Sequence, residues 1–231
     1  MIFDDIKSIE AVLDWHYCQD NSINVSFLSY NFVIFKGIFN PFVAPTGYLS
    51  LLFAIIPNLF KNKKILDIGA GSGIPSILFM LNGAKYVLGI DINPDAIENA
   101  NYNKKINKIK NIEFIESDLF ENIKLIIFDF DIYFANLPLL ESFHGYENYY
   151  NDKNLNNTFF DIDYKTLRGF IKCSEQILSH DRNKKIYLCS TSFSKSIETI
   201  IYNEFKSITL KDFLVLKSNN IELKIFQIKI I

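Results

Sequence analysis

Residues 65–73, with the sequence ILDIGAGSG, decide the fold of this chain: an apolar run ends in an acid and leads directly into closely spaced glycines. Ile74 and Pro75 follow, and a proline suits the first turn of a helix. A second apolar run, residues 86–91 with the sequence YVLGID, also ends in a carboxylate. Strand, glycine turn, helix, strand and terminal acid together predict a nucleotide-binding βαβ unit.

The rest of the chain extends this unit into a larger sheet. From residue 63 onward apolar strands alternate with helices, which favours a parallel sheet with crossover connections. The predicted strands lie near residues 64–68, 86–91, 112–116, 131–135 and 186–190. Residues 207–217 and 221–231 read as a long antiparallel hairpin. The predicted fold class is therefore α/β: a Rossmann-like, seven-stranded mixed sheet with an antiparallel last strand and helices on both faces.

The N-terminal part follows a different pattern. Residues 5–17 have apolar positions at a helical period, and residues 25–39 alternate like a short hairpin. A proline-bracketed aromatic loop then leads into a helix predicted for residues 48–60. We therefore expect an extension of helix and hairpin over residues 1–40 and a main domain over residues 41–231.

Composition limits the classes of protein to consider. The 231 residues are 49% hydrophobic and 15% aromatic, which suits one compact domain, and a net charge of -2 gives no global attraction to nucleic acid. The acidic N-terminus lacks an apolar leader, and the apolar stretch over residues 48–60 is too short to span a membrane. Three scattered cysteines suit a reducing compartment, so we expect a cytoplasmic protein without a metal site.

The glycine spacing indicates which ligand the βαβ unit binds. The glycines fall at every second position, at Gly69, Gly71 and Gly73, and a dinucleotide site needs the third glycine one place later. Asp67 at the mouth of the turn would repel a pyrophosphate and attract an amino or sulfonium group. S-adenosylmethionine carries both cations beside its ribose. An ordinary tight turn and a dinucleotide oxidoreductase are the weaker alternatives.

Two acidic residues further along the chain are placed to bind the ribose and the adenine of S-adenosylmethionine. Asp91 ends the second strand, where it could accept both ribose hydroxyls. Asp118 follows the third strand and could accept the adenine amino group, while Leu119 or Phe120 could cover the ring.

The ordered set of motifs resembles the class I S-adenosylmethionine-dependent methyltransferases. These motifs are DIGAGSG at 67–73, DINP at 91–94, SD at 117–118 and NLPL at 136–139. The resemblance implies a transferase of the EC 2.1.1 class with S-adenosylmethionine as cofactor. The cofactor-binding residues that it implies are Thr46, Asp67, Gly69, Ala70, Gly71, Gly73, Asp91, Ile92, Asp118, Leu119 and Asn136.

The fourth motif resembles the Asn-Pro-Pro-Tyr motif of methyltransferases that act on amide or base nitrogens, as in the release-factor glutamine methyltransferases. Such a nitrogen is a poor nucleophile, because its lone pair is conjugated. The Asn136 side chain and the Leu137 carbonyl could accept both N–H bonds and orient the nitrogen. We therefore expect Asn136, Leu137 and Pro138 to form the catalytic motif. Leu139 cannot stack on a planar substrate, so either the acceptor is not a flat ring or an aromatic residue of the next loop, such as Phe143 or Tyr146, supplies the stacking face.

Several segments have two interpretations. Thr46 lies in a lead-in that resembles the same enzymes and either contacts the methionine part of the cofactor or caps a helix; Phe42 beside it either walls the pocket or packs. Residues 140–163 read as a loop that could cover the substrate as a lid, with His144 as a base or as a solvent-exposed side chain. The lysine-rich run at residues 104–110 favours a solvated helix end over a nucleic-acid site.

These features together predict a monomeric or homodimeric methyltransferase that acts on a nitrogen of a protein side chain or of a small molecule. The alternatives are a small-molecule O-methyltransferase and a non-catalytic, cofactor-binding subunit of a methyltransferase-type complex. A nucleic-acid acceptor is less favoured, and no membrane partner is expected.

Overall fold

The computed structural model describes residues 9–138, 140, 153–191, 196–218 and 221–231. The helices are α1 (Ile9–Tyr17), α2 (Pro45–Ala54), α3 (Ile74–Leu81), α4 (Pro94–Ile106), α5 (Lys153–Phe159), α6 (Lys165–His180) and α7 (Ser196–Glu204). The strands are β1 (Ile23–Phe27), β2 (Tyr30–Ile34), β3 (Lys64–Ile68), β4 (Tyr86–Asp91), β5 (Ile112–Glu116), β6 (Ile132–Ala135), β7 (Lys185–Thr191), β8 (Ile208–Ser218) and β9 (Ile221–Ile230). Single 3-10 turns cover Glu121–Ile123 and Ile162–Tyr164.

Seven strands form the main sheet in the order β5-β4-β3-β6-β7-β9-β8. Strands β5 through β7 pair in parallel, and β9 is antiparallel to both of its neighbours. This confirms the predicted mixed sheet with an inverted last strand. The strand order reverses at β3, which lies between β4 and β6, and ligands of open α/β sheets bind outside the carboxyl ends of the strands at such a switch point.

Side chains of the central strands alternate between two apolar cores, as the two-residue period of a strand requires. Ile65 and Phe134 belong to a core with α2, α3 and α4. Their sequence neighbours Leu66 and Tyr133 belong to a second core with α6 and α7. The predicted helices on both faces are therefore confirmed, and each face of the sheet has its own set of side chains.

Helix α2 was predicted over residues 48–60 and instead spans Pro45–Ala54. Pro45 takes a first-turn position, where its missing N–H costs nothing. Gly47 lies so close to Pro41 that a Cβ on it would be 2.5 Å from the Pro41 Cα. The helix ends early because the residue before Pro57 is disfavoured in helical conformation.

The prediction of a loop over residues 140–163 was wrong for residues 153–159, which form α5. Leu155 and Phe159, one helical turn apart, pack in a small core with Val12 and Leu13 of α1. Because this contact is tertiary, the short asparagine-rich segment gave no helical signal. Residues 141–152, including Phe143, His144 and Tyr146, lie outside the described residues, as does Leu139.

Helix α6 begins at Lys165. The buried Asp161 carboxylate accepts hydrogen bonds from the backbone N–H groups of Thr166 and Leu167, at 2.8 and 2.9 Å. The acid thus satisfies N–H groups at the start of the helix that have no partner within it. Helix α7 was not predicted at all.

The β1–β2 hairpin is shorter than the predicted 25–39 and is held against α4 by buried asparagines. Asn103 Oδ1 accepts from the Val33 N–H at 2.8 Å, while its Nδ2 donates to the carbonyls of Val33 and Ser72 at 2.8 and 2.9 Å. Asn99 bonds to the Phe35 N–H and the Val33 carbonyl in the same way. These amides satisfy backbone groups of β2 that an additional strand would otherwise pair. The proposed boundary between an extension and a main domain at residue 40 stays a prediction.

We predict that Asn103→Ala lowers the free energy of unfolding by about 2–3 kcal/mol, because it leaves the buried Ser72 carbonyl and the half-buried Val33 N–H without a side-chain partner. Urea unfolding measures the change. Asn101→Ala is the matched control, since Asn101 is an exposed residue of the same helix, and its effect should stay within about 0.5 kcal/mol. Equal effects of the two substitutions would contradict the role given to Asn103.

Candidate functional site

A cavity of about 1220 Å³ opens at the carboxyl ends of β3, β4 and β6, where the strand order reverses. Twelve of the thirteen predicted site residues line it: Thr46, Asp67, Gly69, Ala70, Gly71, Asp91, Ile92, Asp118, Leu119, Asn136, Leu137 and Pro138. Gly73 does not line it. Residues far apart in the sequence thus share one cavity.

The glycine turn forms one wall of this cavity. Gly69 and Gly71 have φ of +77° and +54°, a left-handed conformation that other residues adopt at a cost. A Cβ placed on Gly71 would meet nothing within 4 Å, so the backbone there faces open space. A Cβ on Gly69 would lie 3.4 Å from the Asn136 carbonyl oxygen, so the turn lies next to the fourth motif.

Gly73 serves helix packing. Its φ is +75°, and a Cβ on it would lie 2.7 Å from the Ala100 Cβ and 2.9 Å from the Phe114 ring. The third glycine therefore allows α3 to approach α4 and β5 closely. The structure places it away from the cavity to which the sequence pattern assigned it.

The Asp91 carboxylate joins the glycine turn to the start of α4. Oδ2 accepts from the Gly71 N–H and Oδ1 from the Asn93 N–H, each at 2.9 Å. Burial raises the pKa of Asp91, and the backbone hydrogen bonds from Asn93, Gly71 and Ile92 oppose the shift. Each oxygen of an ionised carboxylate can accept two hydrogen bonds, so Asp91 keeps free lone pairs for a ligand in the cavity.

Asp67 is buried, and its Oδ2 accepts a hydrogen bond of 2.5 Å from the Ser76 hydroxyl. Burial raises the pKa of this carboxyl to about 7; the Ser76 hydrogen bond opposes the shift, and the charge of Asp91 adds to it. The attraction to a cation predicted from the sequence requires a negative charge at Asp67. Near neutral pH the charge is only partial, and a cationic ligand would favour the ionised form.

We predict that the stability contributed by Asp67 falls as pH rises. The unfolded carboxyl loses its proton near pH 4 and the folded one near pH 7, so between these values the native state binds the extra proton. The unfolding free energy of the wild type relative to Asp67→Asn should therefore decrease by up to about 1.4 kcal/mol per pH unit in this window. Urea unfolding of both proteins from pH 4.5 to 8 measures the difference, and a flat difference would contradict the assignment.

The segment after β5 supplies a further part of the cavity lining. Asp118 is exposed at the cavity, and Leu119 beside it has a left-handed backbone with φ of +46°. Phe120 also lines the cavity but is buried and stacks on Phe170 of α6 at 6.4 Å. Ile92, which follows β4 and also lines the cavity, is 51% exposed. Leu119 and Ile92 are therefore better placed than Phe120 to cover a flat ring.

Asn136 follows β6 and projects an unsatisfied polar atom. Its Oδ1 is buried and has no hydrogen-bond partner. Leu137 is buried in the core with α6, and Pro138 is half-buried at the cavity. A buried polar oxygen without a partner is rare in native proteins and is typical of a site that a ligand completes.

The structure excludes one of the two alternatives for Thr46 and one of the two for Phe42. The N-cap of α2 is Ala44, so Thr46 is not the cap; it is a buried residue that lines the cavity. Phe42 packs in the core against Phe27, with ring centroids 5.5 Å apart, and does not line the cavity.

Sequence reasoning missed Thr191, the last residue of β7. Thr191 lines the cavity, and its Oγ is also buried without a hydrogen-bond partner. Its position at the carboxyl end of a parallel strand was a signal, but the predicted strand stopped at residue 190. Lysines of the cavity lining were missed as well: Lys124, Lys153, Lys165 and Lys172.

The lysine-rich run, His16 and the cysteines are not among the predicted site residues. The lysine-rich run at residues 104–110 falls at the end of α4 and does not line the cavity. His16 is buried, and burial lowers its pKa to about 4. All three cysteines are free, and the described segments hold no cluster of three or more His, Cys, Asp or Glu side chains suited to a metal ion. Within those same segments, no helix is both long and apolar enough to cross a membrane.

The model of the methyltransferase-domain family matches residues 59–221, which is most of the chain. The chain belongs to this family. Its matched segment runs from before the glycine turn through β8 and so includes the β-strands that line the cavity.

Curated relatives match over shorter stretches. A protein of Methanocaldococcus jannaschii, provisionally named a protein N5-glutamine methyltransferase, is 48% identical over 80 residues, 35% of this chain and 39% of its own length. A Mycoplasma mobile protein named an uncharacterized RNA methyltransferase is 44% identical over 63 residues, 27% of this chain and 17% of its own length. The chain thus spans well under half the length of these relatives.

The fold has counterparts among solved structures. The ribosomal protein L11 methylase from Lactobacillus delbrueckii subsp. bulgaricus superposes with a TM-score of 0.56 at 19% identity, over 83% of this chain and 81% of that one. At this identity the likeness establishes the Rossmann-like methyltransferase fold and nothing finer.

Proposed function

We propose that this protein is an S-adenosylmethionine-dependent methyltransferase that transfers a methyl group to a nitrogen of a protein side chain or of a small molecule. The observation that carries the proposal is the Asn136 Oδ1, a buried hydrogen-bond acceptor that has no partner and lies at the cavity beside the glycine turn. Membership of the methyltransferase-domain family supports both the activity and the cofactor.

The residues around the cavity fit S-adenosylmethionine. The open backbone at Gly71 allows a ligand to approach closely, and Asp91 keeps free lone pairs suited to ribose hydroxyls. Asp67 offers a buried carboxyl to the ammonium group, and Thr46 adds a hydroxyl from α2. Asp118 would accept the adenine amino group, with Ile92 and Leu119 against the ring.

Once the cofactor is bound, the residues of this chain orient the acceptor nitrogen and exclude water. The cofactor supplies an electrophilic methyl group on its sulfonium. Asn136 Oδ1 accepts one N–H of the acceptor, and the Leu137 carbonyl accepts the other, which turns the nitrogen lone pair out of conjugation. Pro138 restricts the backbone that presents this carbonyl. Most of the rate enhancement then comes from positioning and from the exclusion of water.

An RNA base is a second candidate acceptor. This candidate is favoured by the relative named as an RNA methyltransferase and by the four lysines of the cavity lining, which could bind the phosphates of an RNA backbone. Acidic neighbours weaken this candidate, since Lys124 pairs with Glu121 at 2.5 Å and both Asp118 and Asp161 line the same cavity. We therefore keep a protein side chain or a small molecule as the first choice.

Substitution of Asn136 tests the transfer step. We predict that Asn136→Ala lowers turnover by about 10² while cofactor affinity changes little, because it removes a contact that orients the reacting nitrogen. The measurement is transfer of labelled methyl from the cofactor into cell extract, separated afterwards into protein, RNA and small molecules. Asn101→Ala should transfer label at the wild-type rate.

The distribution of label also separates the candidates. Label in protein or small molecules supports the proposal, label in RNA selects the second candidate, and no label with any fraction favours a non-catalytic subunit. Undiminished turnover of Asn136→Ala would remove the orienting role.

Substitution of Asp91 tests the cofactor site. We predict that Asp91→Ala weakens cofactor binding by at least about tenfold, because it removes hydrogen bonds to a charged acceptor and releases the Gly71 N–H. Turnover at saturating cofactor should stay within a few-fold of wild type. Calorimetry measures the affinity, with Asp212→Ala on the exposed edge of β8 as the control. Wild-type affinity of Asp91→Ala would show that this carboxylate does not bind the ribose.

A further inference from the structure

Two buried side-chain polar atoms without a hydrogen-bond partner are found in the described part of the chain: the Asn136 Oδ1 and the Thr191 Oγ. Both residues line the same cavity, and Thr191 is only 7% exposed. A buried hydroxyl without a partner destabilises a folded protein, so native structures rarely keep one without a further use. The proposed function employs Asn136 and leaves the hydroxyl of Thr191 unexplained.

The sheet brings the two residues to the same face. Strand β6 pairs with β7 in parallel, with Ala135 opposite Leu188, so Asn136 comes level with Cys189. Thr191 lies two residues beyond Cys189 and therefore on the same face, which also carries Asp67 in β3. Asn136 and Thr191 are thus diagonal neighbours across adjacent strands.

The surroundings of Thr191 within the sheet offer its hydroxyl no polar partner. Leu223 lies opposite it on β9, and Cys189 precedes it on the same face; both are buried in the apolar core under α2. The open side of Thr191 is the cavity.

We propose that the Thr191 hydroxyl binds the methyl acceptor by donating a hydrogen bond to an oxygen next to the reacting nitrogen. This inference rests on the proposed function. Asn136 Oδ1 accepts the N–H, and Thr191 donates to the neighbouring C=O, so the pair recognises an amide-type edge. An alkyl amine lacks the oxygen, and a carboxylate lacks the N–H, so neither satisfies both groups.

The spacing of the two residues allows one ligand to contact both. Spacings of about 3.3 Å per residue along a strand and about 4.8 Å between strands place the two backbone positions roughly 8 Å apart, and both side chains lie on the same face of the sheet.

Thr191→Val tests the proposal, because valine has the shape of threonine without the hydroxyl. The probe is a pentapeptide with a central glutamine, titrated into protein saturated with S-adenosylhomocysteine and followed by NMR. We expect Thr191→Val to bind this peptide about three- to tenfold more weakly, the effect of one lost hydrogen bond, and Thr191→Ser to restore binding. Thr209→Val, an exposed threonine of β8, is the matched control and should bind as the wild type does.

Stability and specificity are the second readouts. Because the hydroxyl has no hydrogen-bond partner among the described residues, Thr191→Val should melt at the same temperature as the wild type or higher. Wild type should bind the glutamine peptide more tightly than the same peptide with lysine or glutamate, and Thr191→Val should lose part of this preference.

The outcomes separate the two proposals. Failure of the wild type to bind S-adenosylhomocysteine would overturn the proposed function. If the wild type binds S-adenosylhomocysteine normally, any one of three further results would overturn the role of Thr191 and leave the proposed function standing. These are no preference for glutamine in the wild type, unchanged peptide binding by Thr191→Val, and a clear drop of its melting temperature.

Discussion

The parallel pairing of β3 with β4 and β6, and of β6 with β7, is the constraint on which the site depends. Parallel strands bring their carboxyl ends to one edge, and the two-residue period decides which side chains share a face. Asp67, Asp91, Asn136 and Thr191 come from four different strands or strand ends, and each falls on the face that packs on α2, α3 and α4. A slip of one residue in any strand would move its polar group to the core with α6 and α7.

The polar groups of the site share one feature: each is buried in a way that destabilises the folded protein. Burial raises the pKa of Asp67 to about 7, and the polar oxygens of Asn136 and Thr191 lack partners. Each of these arrangements destabilises the folded protein by itself. Their concentration at one cavity, in a chain whose other buried asparagines such as Asn99 and Asn103 are bonded to the backbone, is the pattern expected where function outweighs local stability.

The core of the fold could be predicted because its signals are local. An apolar strand that ends in an acid, glycines at alternate positions and a proline in the first helical turn each act within a few residues, and β3, α3 and β4 formed as expected. Elements stabilised by distant contacts were harder to predict. Helix α5 depends on contacts with α1, so it could not be placed correctly from nearby residues.

The sequence by itself determined the fold class, the glycine turn and the acids that end the strands, since strand period and turn chemistry are properties of neighbouring residues. Tertiary structure alone decided the environment of each group. Gly73 allows α3 to approach α4 closely. Burial raises the pKa of Asp67 to about 7, so this carboxyl is partly protonated near neutral pH. Phe120 stacks on Phe170 of α6. Tertiary structure also places Thr191 in the same cavity as Asn136, because burial and cross-strand neighbours depend on residues that are far away along the chain.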